Sequence, residues 1–155
     1  MNMDGNSLLA NSARAPAQHF LEYDAFRQLC EKPYLEYARL RTGDAARAAQ
    51  SVARAFAALS ARWTEALHSP CLAADAWDIL TAAVGPQNRC DLSTDPGHHC
   101  DLTAVQADAV RLHHRLGLTV QDTAALMGTD PQTVAGALRS AARNGCTARP
   151  CLRGR

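Results

Sequence analysis

Between residues 45 and 67 an apolar side chain returns every three or four positions: Ala49, Val52, Phe56, Leu59, Trp63 and Leu67. That interval is the stripe of a helix with one buried face, and Asp44 stands in front of it as an N-cap. The same test predicts a short helix over residues 22–30, turning Tyr23, Phe26 and Leu29 or Cys30 inward, and a second helix that opens at Pro33 and stops at Gly43. Ser69-Pro70 ends or re-caps the long run. A fourth helix is expected over residues 72–84, with Leu72, Ala76, Leu80 and Ala83 facing the core and Gly85-Pro86 stopping it. From Gly85 to Asp101 the helical period vanishes and turn-forming residues take over. It resumes at Thr103, which forms a capping box with Gln106 and directs Val105, Ala109, Leu112 and Leu116 inward.

The pattern that follows is the most specific in the chain. Residues 117–143, GLTVQDTAALMGTDPQTVAGALRSAAR, read as helix, tight turn and second helix, an arrangement that lays its second helix in the DNA major groove. Thr119 with Asp122 caps the first helix. Ala124 is small enough for the two helices to approach, and Gly128 takes the left-handed conformation that ends a helix. Asp130 caps the second helix, Pro131 opens it, and Val134 packs back on the first. A plain helical hairpin is the alternative. The core of this part is expected from Val105, Ala109, Leu112, Val120, Ala124, Met127, Val134, Ala137 and Leu138.

The predicted fold is therefore all-α: two small helical domains joined by a flexible linker, the second a helix-turn-helix domain. The boundaries are a flexible leader (1–20), an N-terminal helical domain (21–84), the linker (85–101), the helix-turn-helix domain (102–144) and a basic tail (145–155).

Composition supports helix: 47% of the 155 residues are apolar but only 5% are aromatic, and alanine leads the apolar set. No apolar run approaches the roughly 20 residues of a membrane helix, and the first residues lack the basic start and apolar stretch of a signal peptide. A cytoplasmic protein with reduced cysteines and no membrane partner is expected. The formal charge of +1 is unevenly placed. Residues 1–84 hold eight Arg/Lys against nine Asp/Glu, residues 85–102 one against three, and residues 103–155 seven against three. The basic excess thus falls on the helix-turn-helix segment and its tail, which suits a polyanion.

The outward side of the second helix offers Gln132, Arg139 and Arg143, with Ala135 or Gly136 between them. Gln132 suits an adenine edge, Thr119 and Thr133 suit phosphates, and Arg139 and Arg143 suit phosphate or guanine. Gly136 supplies no side chain and weakens the helix by roughly 1 kcal/mol relative to alanine, so weak DNA affinity is expected.

Three segments together resemble a bacterial RNA polymerase sigma factor of the extracytoplasmic-function class. FRQLCEKPYLEYARLRTGD (Phe26–Asp44) is similar to the opening of that family's first domain, and ADAWDIL (Ala74–Leu80) to the helix after its polymerase-binding helix. LTAVQADAVRLHHRLGLTVQDTAALMGTDPQTVAGALRSAAR (Leu102–Arg143) is similar to its second domain. The resemblance implies a first domain that binds core polymerase and melts promoter DNA, and a second that reads the distal promoter element. It places the polymerase contact at Arg47, Gln50 and Arg54. There the chain departs from the family, carrying Arg47, Ala49, Gln50 and Arg54 where carboxylates grip a basic clamp. The fourth helix departs too, with Trp77 beside Asp75 and Asp78 instead of arginines; Trp77 reads as a core residue or as a base-stacking one. Two functions follow as expectations. One is a sigma-like transcription regulator bound to promoter DNA and core RNA polymerase. The other is a degenerate sigma-like protein that binds a regulatory partner, such as an anti-sigma factor, without initiating transcription.

Cys90, His98, His99 and Cys100 are of metal-ligand type, but C-x7-HHC lacks the C-x2-C pair of zinc knuckles. With Cys146 and Cys151 they allow a metal- or thiol-responsive variant of either function; ordinary reduced thiols are the first expectation. No cofactor is expected. The chain shows no phosphate-cradling glycine loop, no nucleophile beside a placed base and no inward carboxylate pair, so it does not read as an enzyme.

Overall fold

Alanine-rich sequence with few β-branched residues favours helix. The computed structural model describes residues 7–86 and 102–145, in the order α1 (Ser7–Thr42), α2 (Ala45–Ala61), α3 (Trp63–Leu67), α4 (Leu72–Val84), α5 (Ala104–Val110), a π-helical turn (Arg111–Arg115), α6 (Val120–Met127) and α7 (Pro131–Arg143). Among the described residues there is no strand. The expected linker beyond Pro86 and the tail beyond Gly145 lie outside the described residues.

The first helix corrects the sequence-based expectation. No break occurs at Pro33, and residues 7–20, expected as part of a flexible leader, belong to the same helix. Proline inside a helix removes a donor to the carbonyl four residues back, here that of Leu29. Leu29 is 78% exposed, so water can satisfy that carbonyl. One turn later Tyr34, Tyr37 and Ala38 are buried, and this packing holds the helix through the proline. Leu29 thus drops out of the inward face, where Tyr23, Phe26 and Cys30 pack against the core.

Asp44 caps α2 as expected, its carboxylate accepting from the amides of Ala46 and Arg47. Val52, Phe56, Leu59 and Trp63 are buried, but the first member of the stripe is Ala48, and Ala49 faces solvent. The run is interrupted at Arg62, whose non-helical backbone separates α2 from α3. In α4, Ala76, Trp77 and Leu80 are buried, so Trp77 is a core residue. Tyr34 stacks on Phe56 with ring centroids 5.6 Å apart, and Tyr37 meets Trp77 at 4.6 Å.

All eight aromatic residues precede residue 78, and the second half is built without rings. Leu102, Ala107, Val110 and Ala141 form one small cluster, and Ala109, Ala124, Val134 and Ala137 another. Val105, expected inside, is 43% exposed, whereas Val110 is fully buried. The second half of α5 is enclosed between α7 and the Tyr37 and Trp77 side chains of the N-terminal helices, so four consecutive residues, Ala107 to Val110, are buried and no single inward face exists there. The halves also share a core: Leu112 and Met127 are buried in the aromatic cluster of α1, α2 and α4, with Leu116, Leu118 and Leu126 packed against it.

Candidate nucleic-acid interface

The turn between α6 and α7 is specified by local chemistry. Thr119 caps α6, its hydroxyl accepting from the Asp122 amide at 3.0 Å. Gly128 ends α6 at φ 66°, the left-handed region in which a Cβ clashes with the backbone, and the Thr129 amide closes the turn on the Ala124 carbonyl at 2.9 Å. Asp130 then caps α7. One of its carboxylate oxygens accepts from the Thr133 amide at 2.9 Å and the other from the Thr133 hydroxyl at 2.6 Å.

Those two bonds from Thr133 hold the Asp130 carboxyl below its ordinary value of 3.8. A carboxyl depressed in the folded state adds stability that is present above its ordinary value and lost as pH falls through the lower folded-state one. Asp130→Ala should lower the melting temperature by a few degrees at neutral pH. It should also remove part of the acid destabilisation that begins below about pH 4. Thermal melts of both proteins across this range, followed by circular dichroism, check it; parallel pH profiles would count against the cap.

On α7, Val134, Ala137 and Ala141 are buried, and α5 and α6 support the helix from that side. Gln132, Arg139 and Arg143 are exposed. At 100° per residue these three and Gly136 fall within about 60° of arc, centred opposite the buried face. The ridge of the helix is thus Gln132, Gly136, Arg139 and Arg143. Arg143 donates to the Ser140 hydroxyl at 3.1 Å, within its own last turn. Thr133 is exposed but belongs to another side, in a cleft of about 200 Å³ that it shares with Trp77, Val105, Met127 and Thr129. Its hydroxyl proton is already given to Asp130, so Thr133 is separated from the ridge in both place and bonding. Thr119 is exposed at the start of α6.

The residues assigned to a polymerase contact, Arg47, Gln50 and Arg54, are all exposed along α2. Arg54 is held by the fold: its guanidinium donates to the Ala83 carbonyl at 3.2 Å and reaches the Ser51 hydroxyl at 3.4 Å, tying α2 to the end of α4. Cys90, His98, His99 and Cys100 lie outside the described residues, as do Cys146 and Cys151. His113 is half-buried and donates from Nδ1 to the Leu118 carbonyl at 2.7 Å, while His114 is exposed. Partial shielding from solvent first, and the neighbouring His113 second, hold the His114 imidazole below its usual value.

Sequence reasoning missed what positions the helix pair. Asp108 on α5 is 3% exposed and accepts from the Tyr37 hydroxyl of α1 at 2.6 Å and from the Trp77 indole of α4 at 3.3 Å. The guanidinium groups of Arg41 and Arg111 lie 4.0 and 3.6 Å from the same carboxylate, all three side chains being nearly inaccessible. Arg41 also donates to the Tyr37 hydroxyl and to the Gly85 carbonyl. Burial pushes the Asp108 carboxyl above the usual range, against the opposing pull of Tyr37, the two arginines and Trp77. A second contact lies at the turn, where Gly128 sits against the backbone of Ala73 and Ala74 at the start of α4 and the Cys71 thiol donates to its carbonyl at 3.4 Å.

No protein-family model matches the chain, and no curated protein or solved structure matches it either.

Proposed function

We propose that this protein is a sigma-like transcription regulator that binds duplex DNA through a helix-turn-helix formed by α6 and α7. The observation that carries the DNA part is the division of α7 into a wholly apolar buried face and an opposite ridge of Gln132, Arg139 and Arg143. Val134, Ala137 and Ala141 hold the helix against α5 and α6, which leaves the ridge available to a groove. Two guanidinium groups seven and eleven residues after Gln132 provide phosphate or guanine contacts along one line. The basic excess of residues 103–155 agrees with a polyanionic ligand.

Under this proposal residues 21–84 and 102–144 are the two modules of a sigma-like chain, acting in the cytoplasm. The first approaches core RNA polymerase through Arg47 and Gln50, as the resemblance of residues 26–44 and 74–80 implies. No helix among the described residues is long and apolar enough to cross a membrane.

Replacing Arg139 and Arg143 together by alanine should weaken binding to promoter-containing duplexes by about tenfold or more. It should also flatten the dependence of log affinity on log salt by about one to two. Fluorescence anisotropy at several salt concentrations measures both. Unchanged affinity and slope would remove α7 from the interface. Co-purification with core polymerase, followed by transcription from the bound fragments, tests the polymerase part.

One observation favours a second reading, that of an interaction protein without initiation. The α2 face is basic or neutral where a clamp contact requires carboxylates, and Arg54 on it is committed to Ala83. A regulatory partner such as an anti-sigma factor, retained in the absence of polymerase, is the outcome that would select it.

A further inference from the structure

Gly136 occupies the middle of the α7 ridge, yet nothing in the fold requires a glycine there. Its backbone is helical, with no positive φ, and a Cβ built on it would meet only the Arg139 guanidinium at 3.8 Å, the end of a flexible side chain. Glycine in mid-helix is unfavourable relative to alanine, and the rest of α7 uses alanine freely, at 135, 137, 141 and 142. Elsewhere in the described residues, glycines are placed by backbone geometry at φ 66° to 96°. Gly136 is the described glycine for which the fold offers no such reason. A bare position inside a line of groove-facing side chains is what close approach of another surface requires.

We infer that Gly136 is a specificity-determining notch that receives the C5-methyl group of a thymine, letting α7 sit deep enough in the major groove for the side chains on either side to reach base edges. The inference rests on the DNA-binding proposal and extends it to a sequence preference. Helix rise sets the spacing. Gly136 and Arg139 are about 4.5 Å apart along the axis, close to one base step of about 3.4 Å, and Gln132 and Gly136 are about 6 Å apart, close to two. Arg139, whose guanidinium already lies beside the notch, is then placed on a guanine next to the thymine. Gln132 is placed on an adenine about two steps to the other side. The thymine methyl is the one major-groove feature that is apolar and protruding, and it is the feature that a missing Cβ accommodates.

The test opposes stability to binding. Gly136→Ala in the full chain should raise the melting temperature by about 2–4 °C, because alanine favours the helix. The same variant should bind about fivefold or more weakly to duplexes that the wild type selects from a randomised library. Replacing thymine by deoxyuridine at the contacted position removes only the methyl group. It should weaken the wild type several-fold and leave Gly136→Ala nearly unaffected.

Three outcomes are distinct. If the wild type enriches no duplex, the DNA-binding proposal fails and the notch with it. If it enriches a motif but Gly136→Ala binds that motif as tightly or more tightly, the notch alone is overturned. A more stable variant that binds less well, and has lost sensitivity to the methyl group, establishes it.

Discussion

Asp108→Ala should remove about 3–5 kcal/mol of folding stability, the range found when one member of a buried ionic cluster is deleted and its partners remain. The carboxylate faces Arg41 and Arg111, and both guanidinium groups are nearly inaccessible, so neither can recover hydration without opening the structure. The Tyr37 hydroxyl and the Trp77 indole lose their acceptor in the same substitution, and the cost of leaving those buried donors unsatisfied is part of that loss. Asp108→Asn retains an acceptor for Tyr37 or Trp77 but not the charge, and should fall between wild type and alanine. Denaturant unfolding followed by circular dichroism measures the series. A loss below about 1 kcal/mol for Asp108→Ala would mean that water already reaches the cluster. The consequence extends to α7, because Asp108 joins α5 to α1 and α4, and α5 is one of the two supports behind the ridge of α7.

Local chemistry was legible in the sequence because it acts within a few residues. Asp44, Thr103, Thr119 and Asp130 all cap the helices that they were expected to cap. Gly128 adopts the expected left-handed conformation. The buried face of α7 was equally readable, since Val134, Ala137 and Ala141 keep helical spacing. Misreadings arose where tertiary packing outweighed a local preference. Pro33 normally marks a boundary, but burial of Tyr34, Tyr37 and Ala38 carries α1 past it. Ala48 and Ala49 are chemically the same, so the register of α2 at its first turn could not be chosen from side-chain type. Val105 and Val110 are equally apolar, and which is covered depends on α5 being surrounded, a fact of topology. The Asp108 cluster was illegible for the same reason: Tyr37 and Asp108 are 71 residues apart. Its one local sign was an aspartate inside the apolar run AVQADAV, which reads in isolation as a solvent position.

The shared core changes how the C-terminal half is understood. Its own clusters contain alanine, valine and leucine but no aromatic ring, and two of its largest apolar side chains, Leu112 and Met127, are buried among the N-terminal helices. Helices this short are marginal in isolation, and alanine buries little apolar surface, so α5 and α6 gain much of their order from α1 and α4, and α7 gains its order through them. Substitutions that loosen the N-terminal helices should therefore perturb the ridge of α7 from a distance.

Gly128→Ala provides the sharpest measure of that dependence. At φ 66° an added Cβ would lie 2.0 Å from the Ala74 nitrogen, 2.5 Å from its Cα and 2.7 Å from the Ala73 carbonyl carbon. These are backbone atoms of a helix and cannot rotate away. The left-handed conformation alone costs a non-glycine residue about 1–2 kcal/mol, and forced overpacking adds about 1–3 kcal/mol, giving an expected loss of about 2–5 kcal/mol. Gly117→Ala is the matched control: its φ is 72° but nothing lies within 4 Å of the added Cβ, so only the conformational part should appear. The difference between the two variants isolates the seating of the α6–α7 turn on the start of α4. Equal losses, near 1–2 kcal/mol each, would show that the turn can lift from α4 at little expense and that the helix pair keeps its geometry unaided. A larger loss for Gly128→Ala, with DNA affinity falling in the same protein and not in Gly117→Ala, would show that the N-terminal helices hold the ridge in its binding position.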